Sequence, residues 1–220
     1  MRRLVVLFML PILILLSVLR GAYAGGWASI TVLNDFPDYA VAGKPLQLSF
    51  MVRQHGQTPL SGLKPTIRAT AAGGLSAKTN VTASRTPGEY AAALTLPEPG
   101  TWTITIASGF NASDITLPAL RVIAPGAGAP VPFSPATRGV RLFTTKGCVS
   151  CHRHLEVNPE FKTDARFDLT SKRFPPDYLK NFLADPSIKP AEMPKLNLKE
   201  EEIEALAAFI NKGLQKKVVR

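Results

Sequence analysis

Between Ala124 and Pro135 the chain reads Ala-Pro-Gly-Ala-Gly-Ala-Pro-Val-Pro-Phe-Ser-Pro, four prolines and two glycines in 12 residues. No helix or central strand survives that density of missing N–H donors and fixed φ angles, so the stretch reads as a linker between two separately folding parts. A proline-stiffened segment of this length reaches up to about 37 Å at about 3.1 Å per residue, which permits either docked or independently swinging parts.

At the N-terminus, Arg2 and Arg3 precede an apolar run from Leu4 to Leu19, closed by Ala22-Tyr23-Ala24. This is the pattern of a secretory signal peptide over residues 1–24, cleaved after Ala24. The alternative is an uncleaved membrane anchor, which leaves the chain on the same outer face. An exported, periplasmic or otherwise extracytoplasmic location is therefore expected. The three arginines of this segment leave a remainder with 23 basic against 16 acidic residues. A basic surface favours acidic partners, but no nucleic-acid motif accompanies it, and nucleic acid is not an expected partner.

Residues 25–123 alternate with period two, as in Leu46, Leu48, Phe50, Val52 and in Trp102, Ile104, Ile106. Turn signals at Gly43-Lys44-Pro45, Gly73-Gly74, Pro87-Gly88 and Pro97-Glu98-Pro99-Gly100 divide the region into about seven strands. The expectation is a two-sheet sandwich. Its pattern resembles the small immunoglobulin-like modules of exported bacterial proteins, without a cysteine pair to support it. His55 and Met51 fall on one face of a predicted strand and form a candidate copper pair.

Residues 136–220 change period. Ile203, Leu206, Ala207, Ile210 and Leu214 follow helical spacing, behind the acidic run Glu200-Glu201-Glu202. Two further helices are predicted, around 137–146 and 176–183. This part carries 16 basic and 11 acidic residues.

Within it lies Cys148-Val149-Ser150-Cys151-His152, a C-x-x-C-H sequence. Two thiols at this spacing can each add to one vinyl group of a haem, with the adjoining imidazole held against the iron. Rival readings are a zinc site completed by His154, or a redox dithiol. One motif implies one covalently bound haem c.

Gly147-Cys148-Val149-Ser150-Cys151-His152, Met193-Pro194-Lys195-Leu196 and the helix from Glu202 to Ile210 together resemble a class I c-type cytochrome domain covering about residues 136–220. The resemblance implies an all-α domain, Cys148 and Cys151 as haem attachments, and His152 and Met193 as axial iron ligands. The chain beyond residue 24 contains only Met51 and Met193. His154, two residues from His152, is expected at the surface or at the haem edge. Where the family presents Gly-Pro before Leu this chain has Arg166-Phe167-Asp168-Leu169, which leaves the hydrogen-bond partner of the imidazole open.

The resulting expectation is an exported electron carrier with a docking sandwich, exchanging electrons with redox partner proteins or a membrane respiratory complex. Its alternatives are a haem subunit of an oxidoreductase, an open-site haem enzyme or sensor, or a copper-handling sandwich coupled to a haem.

Overall fold

The computed structural model describes residues 26–188 and 193–212. The predicted signal segment lies outside these residues. Among the described residues no helix is long and apolar enough to cross a membrane.

Among the described residues there are eleven strands in two sheets, and three α-helices. The strands are β1 (Ala28–Val32), β2 (Tyr39–Val41), β3 (Pro45–Gln54), β4 (Thr58–Pro59), β5 (Thr66–Ala71), β6 (Ser76–Thr79), β7 (Thr82–Ala83), β8 (Glu89–Thr95), β9 (Gly100–Ala107), β10 (Asp114–Thr116) and β11 (Leu120–Ile123). The first sheet runs β1-β3-β8-β7 with β4 beside β3; the second runs β2-β11-β9-β5-β6 with β10 beside β9. Pairing is antiparallel except for β2 along β11.

Alternation decides which face closes the sandwich. Leu46, Leu48, Phe50 and Val52 of β3 and Trp102, Ile104 and Ile106 of β9 enter one continuous core, while the intervening residues face out. Two polar tips in this core find backbone partners. Tyr90 Oη donates to the Leu60 carbonyl at 2.8 Å and accepts from Leu63 N–H at 3.1 Å, and Trp102 Nε1 donates to the Glu98 carbonyl at 2.9 Å.

Three helices follow: α1 (Pro135–Thr145), α2 (Pro176–Ala184) and α3 (Glu200–Lys212). Ser134 caps α1, accepting from Thr137 N–H, with Pro135 in the first turn where its missing N–H costs nothing. At the start of α3 the carboxylate of Glu202 accepts from Lys199 N–H at 3.0 Å. Just before it, Asn197 turns the chain in the left-handed region at φ 51°.

Helices α1 and α3 cross closely because residue 139 is glycine. A Cβ there would stand 2.1 Å from the Ala205 carbonyl oxygen and 2.5 Å from Phe209 Cβ. Beside this crossing Phe143 and Phe209 meet edge to face, centroids 5.5 Å apart. The two ends are tied by Lys146 and Glu202, an ion pair at 2.8 Å whose side chains are 6% and 8% exposed.

These observations correct the expected fold class. The described chain is mostly β, with two sheets and few helices, and an all-α cytochrome c domain following an immunoglobulin-like sandwich is not what it forms. From Cys151 to Phe174 the backbone makes only a short 3-10 turn, Ala165–Phe167, and an isolated parallel bridge between Arg153 and Asp168. Asn158-Pro159 in this stretch and Pro175-Pro176 at its end restrict helix growth.

The helices also lean on the sandwich. All five residues of β1 are buried, although as an edge strand it pairs only with β3. The turn at Gly147 covers it. A Cβ on Gly147 would lie 2.6 Å from the Ile30 carbonyl oxygen and 3.3 Å from Thr31 Oγ1, and φ there is +79°, so both space and backbone conformation favour glycine.

Arg141, 8% exposed, clamps the same junction. Its guanidinium donates to the Ala119 carbonyl and the Pro37 carbonyl, each at 2.9 Å, and lies 5.2 Å and 4.7 Å from the centres of the Phe36 and Phe133 rings. Arg138 with Asp38 and Lys199 with Asp35 add ion pairs at its rim. The proline-rich stretch therefore joins two parts that are docked.

Candidate functional site

The C-x-x-C-H segment begins where α1 ends. Gly147, in the left-handed region, reverses the chain into a 3-10 turn, Cys148–Ser150. Cys151 N–H and His152 N–H both return to the Cys148 carbonyl, at 3.1 Å and 2.8 Å, which gathers both cysteines and the histidine at one bend. Both cysteines are unbridged. Burial and the neighbouring Cys151 push the Cys148 thiol up to about 12, and burial also raises that of Cys151. Burial thus favours the thiol over the thiolate at both positions.

His152 resolves what the sequence left open. Its Nδ1 lies 3.1 Å from the Phe167 carbonyl oxygen. A carbonyl can only accept, so Nδ1 carries the proton and Nε2 keeps its lone pair. Burial lowers the pKa of the imidazole, against the opposing pull of that hydrogen bond.

The same carbonyl accepts from Arg153 N–H at 3.2 Å, and Leu169 N–H returns to the Arg153 carbonyl at 2.9 Å. Arg153 Nη1 pairs with Asp168 Oδ2 at 2.6 Å. Thr170, through its side chain and its backbone N–H, and then Arg153 hold the Asp168 carboxyl down to about 2.

A further organiser has no motif of its own. Asn158 Nδ2 donates to the carbonyls of His152 and Val149, at 2.9 Å and 3.2 Å, while its Oδ1 accepts from His154 N–H at 2.8 Å. One amide side chain thus fixes the bend on both sides of His152. The only hint in sequence is its place before Pro159 in an otherwise irregular run.

His154 is not a surface residue. It is 1% exposed, with its ring 4.4 Å from Phe209 and 6.0 Å from Phe143 between centroids. Its Nδ1 accepts from Glu156 N–H at 3.3 Å, and its Nε2 has no hydrogen-bond partner. Enclosure between the aromatic rings of α1 and α3 keeps it apart from bulk water.

Met193 is half-buried in the irregular approach to α3, packed against the core shared by Phe143, Leu179, Leu206 and Phe209. Cys148 and Val149 pack against that same core. Met51 stands on the outward row of β3, and His55 lies just beyond the strand end at φ 51°. His55 therefore lies in a turn and does not continue the strand row of Met51 as the shared-face reading expected.

Among the described residues no group of three or more His, Cys, Asp or Glu gathers as a metal site. The YtkA-like family matches residues 32–107, within the sandwich. A search of characterised proteins finds no match.

Among solved structures the chain is similar to the Lin-41 filamin domain (14% identity, 43% of this chain and 91% of that one, TM-score 0.37). It is also similar to domains 4 and 5 of the S-layer protein SbsC (18% identity, 44% and 51%, TM-score 0.31). A third is the C-terminal domain of ZirS (14% identity, 48% and 75%, TM-score 0.33).

These findings overturn the identification of the C-terminal part as a class I c-type cytochrome domain. The matching family is YtkA-like, it falls on the β-rich half, and no cytochrome family accompanies it. The reading of the chain as a cytochrome c is corrected on the same grounds: the matched region is a YtkA-like stretch of the β-sandwich, and neither the comparison nor the described residues show a haem or metal-binding group.

Proposed function

We propose that the protein is an exported redox protein in which a metal-handling sandwich is coupled to a single haem bonded to Cys148 and Cys151. Copper is the proposed ion, bound through the exposed imidazole of His55, since imidazole suits copper. The similarity of residues 32–107 to the YtkA-like family supports giving the sandwich a role of its own rather than that of a spacer.

The observation that carries the haem assignment is the state of His152. Its Nδ1 is held by the Phe167 carbonyl, its Nε2 lone pair is left for a metal, and two unbridged thiols lie within the same bend. A carbonyl that accepts from the other ring nitrogen, fixing tautomer and ring orientation, is the usual companion of a ligating histidine. The motif needs no particular fold around it, so the assignment rests on these residues and not on a family. When bound, the group supplies one-electron chemistry. The residues of the chain hold it, orient it and limit its contact with water.

Met193 is the proposed second ligand of the iron. In that place its thioether would favour the ferrous state and close the site to small ligands, which would make electron exchange with acidic redox partners or a membrane complex the working role. An open-site enzyme or sensor becomes the better reading if the reduced protein binds carbon monoxide rapidly.

The test of the coupled reading is copper retention. Full-length protein, exported from a host that attaches haem, is dialysed against limiting copper and analysed for copper and iron. One copper per chain, lost in His55→Ala with iron unchanged, is the expected result. Iron without copper would remove the metal-handling role and leave a haem carrier docked to its sandwich.

A further inference from the structure

One corner of the sandwich belongs to the C-x-x-C-H site by position although it lies far from it in sequence. The β3–β4 turn carries His55 and the buried Gly56, and the chain entering β1 carries Trp27. The point from which a Gly56 side chain would grow is 3.8 Å from Cys151 Sγ and 3.8 Å from Trp27 Cη2. Trp27 stands edge-on to His55, centroids 5.8 Å apart at 64°, and remains 39% exposed.

The contact is held from several directions. Gly147 rests on the Ile30 carbonyl one step before the cysteines, Val149 packs against the cores of both parts, and buried Arg141 joins α1 to the Pro37 and Ala119 carbonyls. Cys151 thus has helical-part neighbours on one side and the sandwich on the other.

We infer that Trp27, His55 and Gly56 form a wall of the C-x-x-C-H site and act as positioning residues that set how far Cys151, and the group bonded to it, is exposed to water. The identity of that group rests on the proposed function; the wall itself does not. The site is then incomplete in residues 136–220 alone. Any ion held by His55, the only histidine between residues 25 and 123, also sits beside the segment it is coupled to.

Two measurements test this. First, full-length protein made without haem attachment is treated with iodoacetamide, and alkylation is followed by peptide mapping. Trp27→Ala is expected to speed reaction at Cys151 severalfold and leave Cys148 unchanged, whereas Trp27→Phe keeps the wild-type rate, because the attacking thiolate forms and meets reagent only where water reaches the sulfur. Second, in the haem-bearing protein Trp27→Ala is expected to lower the midpoint potential at unchanged haem content, since water favours the more highly charged ferric state.

Equal Cys151 rates in folded wild type and Trp27→Ala, or an unchanged potential, would overturn the inference. If the wild type attaches no haem, the proposed function fails, and the alkylation comparison still decides the wall.

Discussion

Replacing Arg141 by methionine removes the clamp between the two parts while retaining much of the apolar stem. The guanidinium makes two hydrogen bonds of 2.9 Å to backbone carbonyls and faces two aromatic rings, at 8% exposure. A hydrogen bond to a charged group contributes about 1.5–3 kcal/mol. A desolvated cation–π contact adds about 2 kcal/mol. The charge was costly to bury, and methionine recovers part of that cost, so the net loss expected is about 3–5 kcal/mol.

The control is Arg138→Met, whose ion pair with Asp38 is 3.4 Å long with 44% of the arginine side chain exposed. Such a pair is worth about 1 kcal/mol or less. Urea unfolding followed by tryptophan fluorescence and by helical circular dichroism reads both variants, and amide exchange reads β1. Arg141→Met should lower the midpoint well beyond Arg138→Met and speed exchange in Ala28–Val32, the strand that docking buries. Equal stability of the two variants, with β1 still protected, would refute the view that Arg141 holds the parts together.

Glu202→Gln strands a buried ammonium and should cost about 3–5 kcal/mol, whereas the double variant Glu202→Gln, Lys146→Met should recover most of it; a thermal-melt double-mutant cycle checks the coupling. Asn158→Ala deletes two donated bonds and one accepted bond around His152, and a loss of about 2–4 kcal/mol is expected in denaturant titrations, with poorer haem attachment at the same expression level. Asp168 titrates at about 2 in the folded chain against 3.8 ordinarily, so its contribution is full above pH 4 and lost as pH falls toward 2. Asp168→Asn should therefore flatten the acid limb of the stability–pH curve and leave the rest of its shape alone.

Local rules reached a good part of the fold. Alternation in β3 and β9 marked the buried rows, and the helical period placed both ends of α1 and α2 and the start of α3 within about two residues, as such signals usually do; Leu214, at the end of the predicted pattern, lies outside the described residues. What escaped depends on contacts between distant residues. Arg141 reads as a surface cation on an amphipathic helix until Pro37 and Ala119 supply its acceptors. His154 sits in a polar sequence, and its burial comes from Phe143 and Phe209, on helices before and after it.

The partner of His152 was hidden for a different reason. A backbone carbonyl serves whatever its side chain is, so no residue type in the sequence marks Phe167 as the acceptor. The cytochrome resemblance failed for a related reason. Short motifs specify a covalent chemistry and a helix face, but not how helices of 9 to 13 residues are arranged when a β-sandwich supplies their neighbour.

The most direct test of the account is the intact mass of the exported full-length chain, denatured, from cells able to attach haem. A mass increment of one haem is predicted, persisting through denaturation and acid extraction and disappearing in Cys148→Ser, Cys151→Ser. An unmodified polypeptide with two alkylatable thiols from the same cells would contradict it.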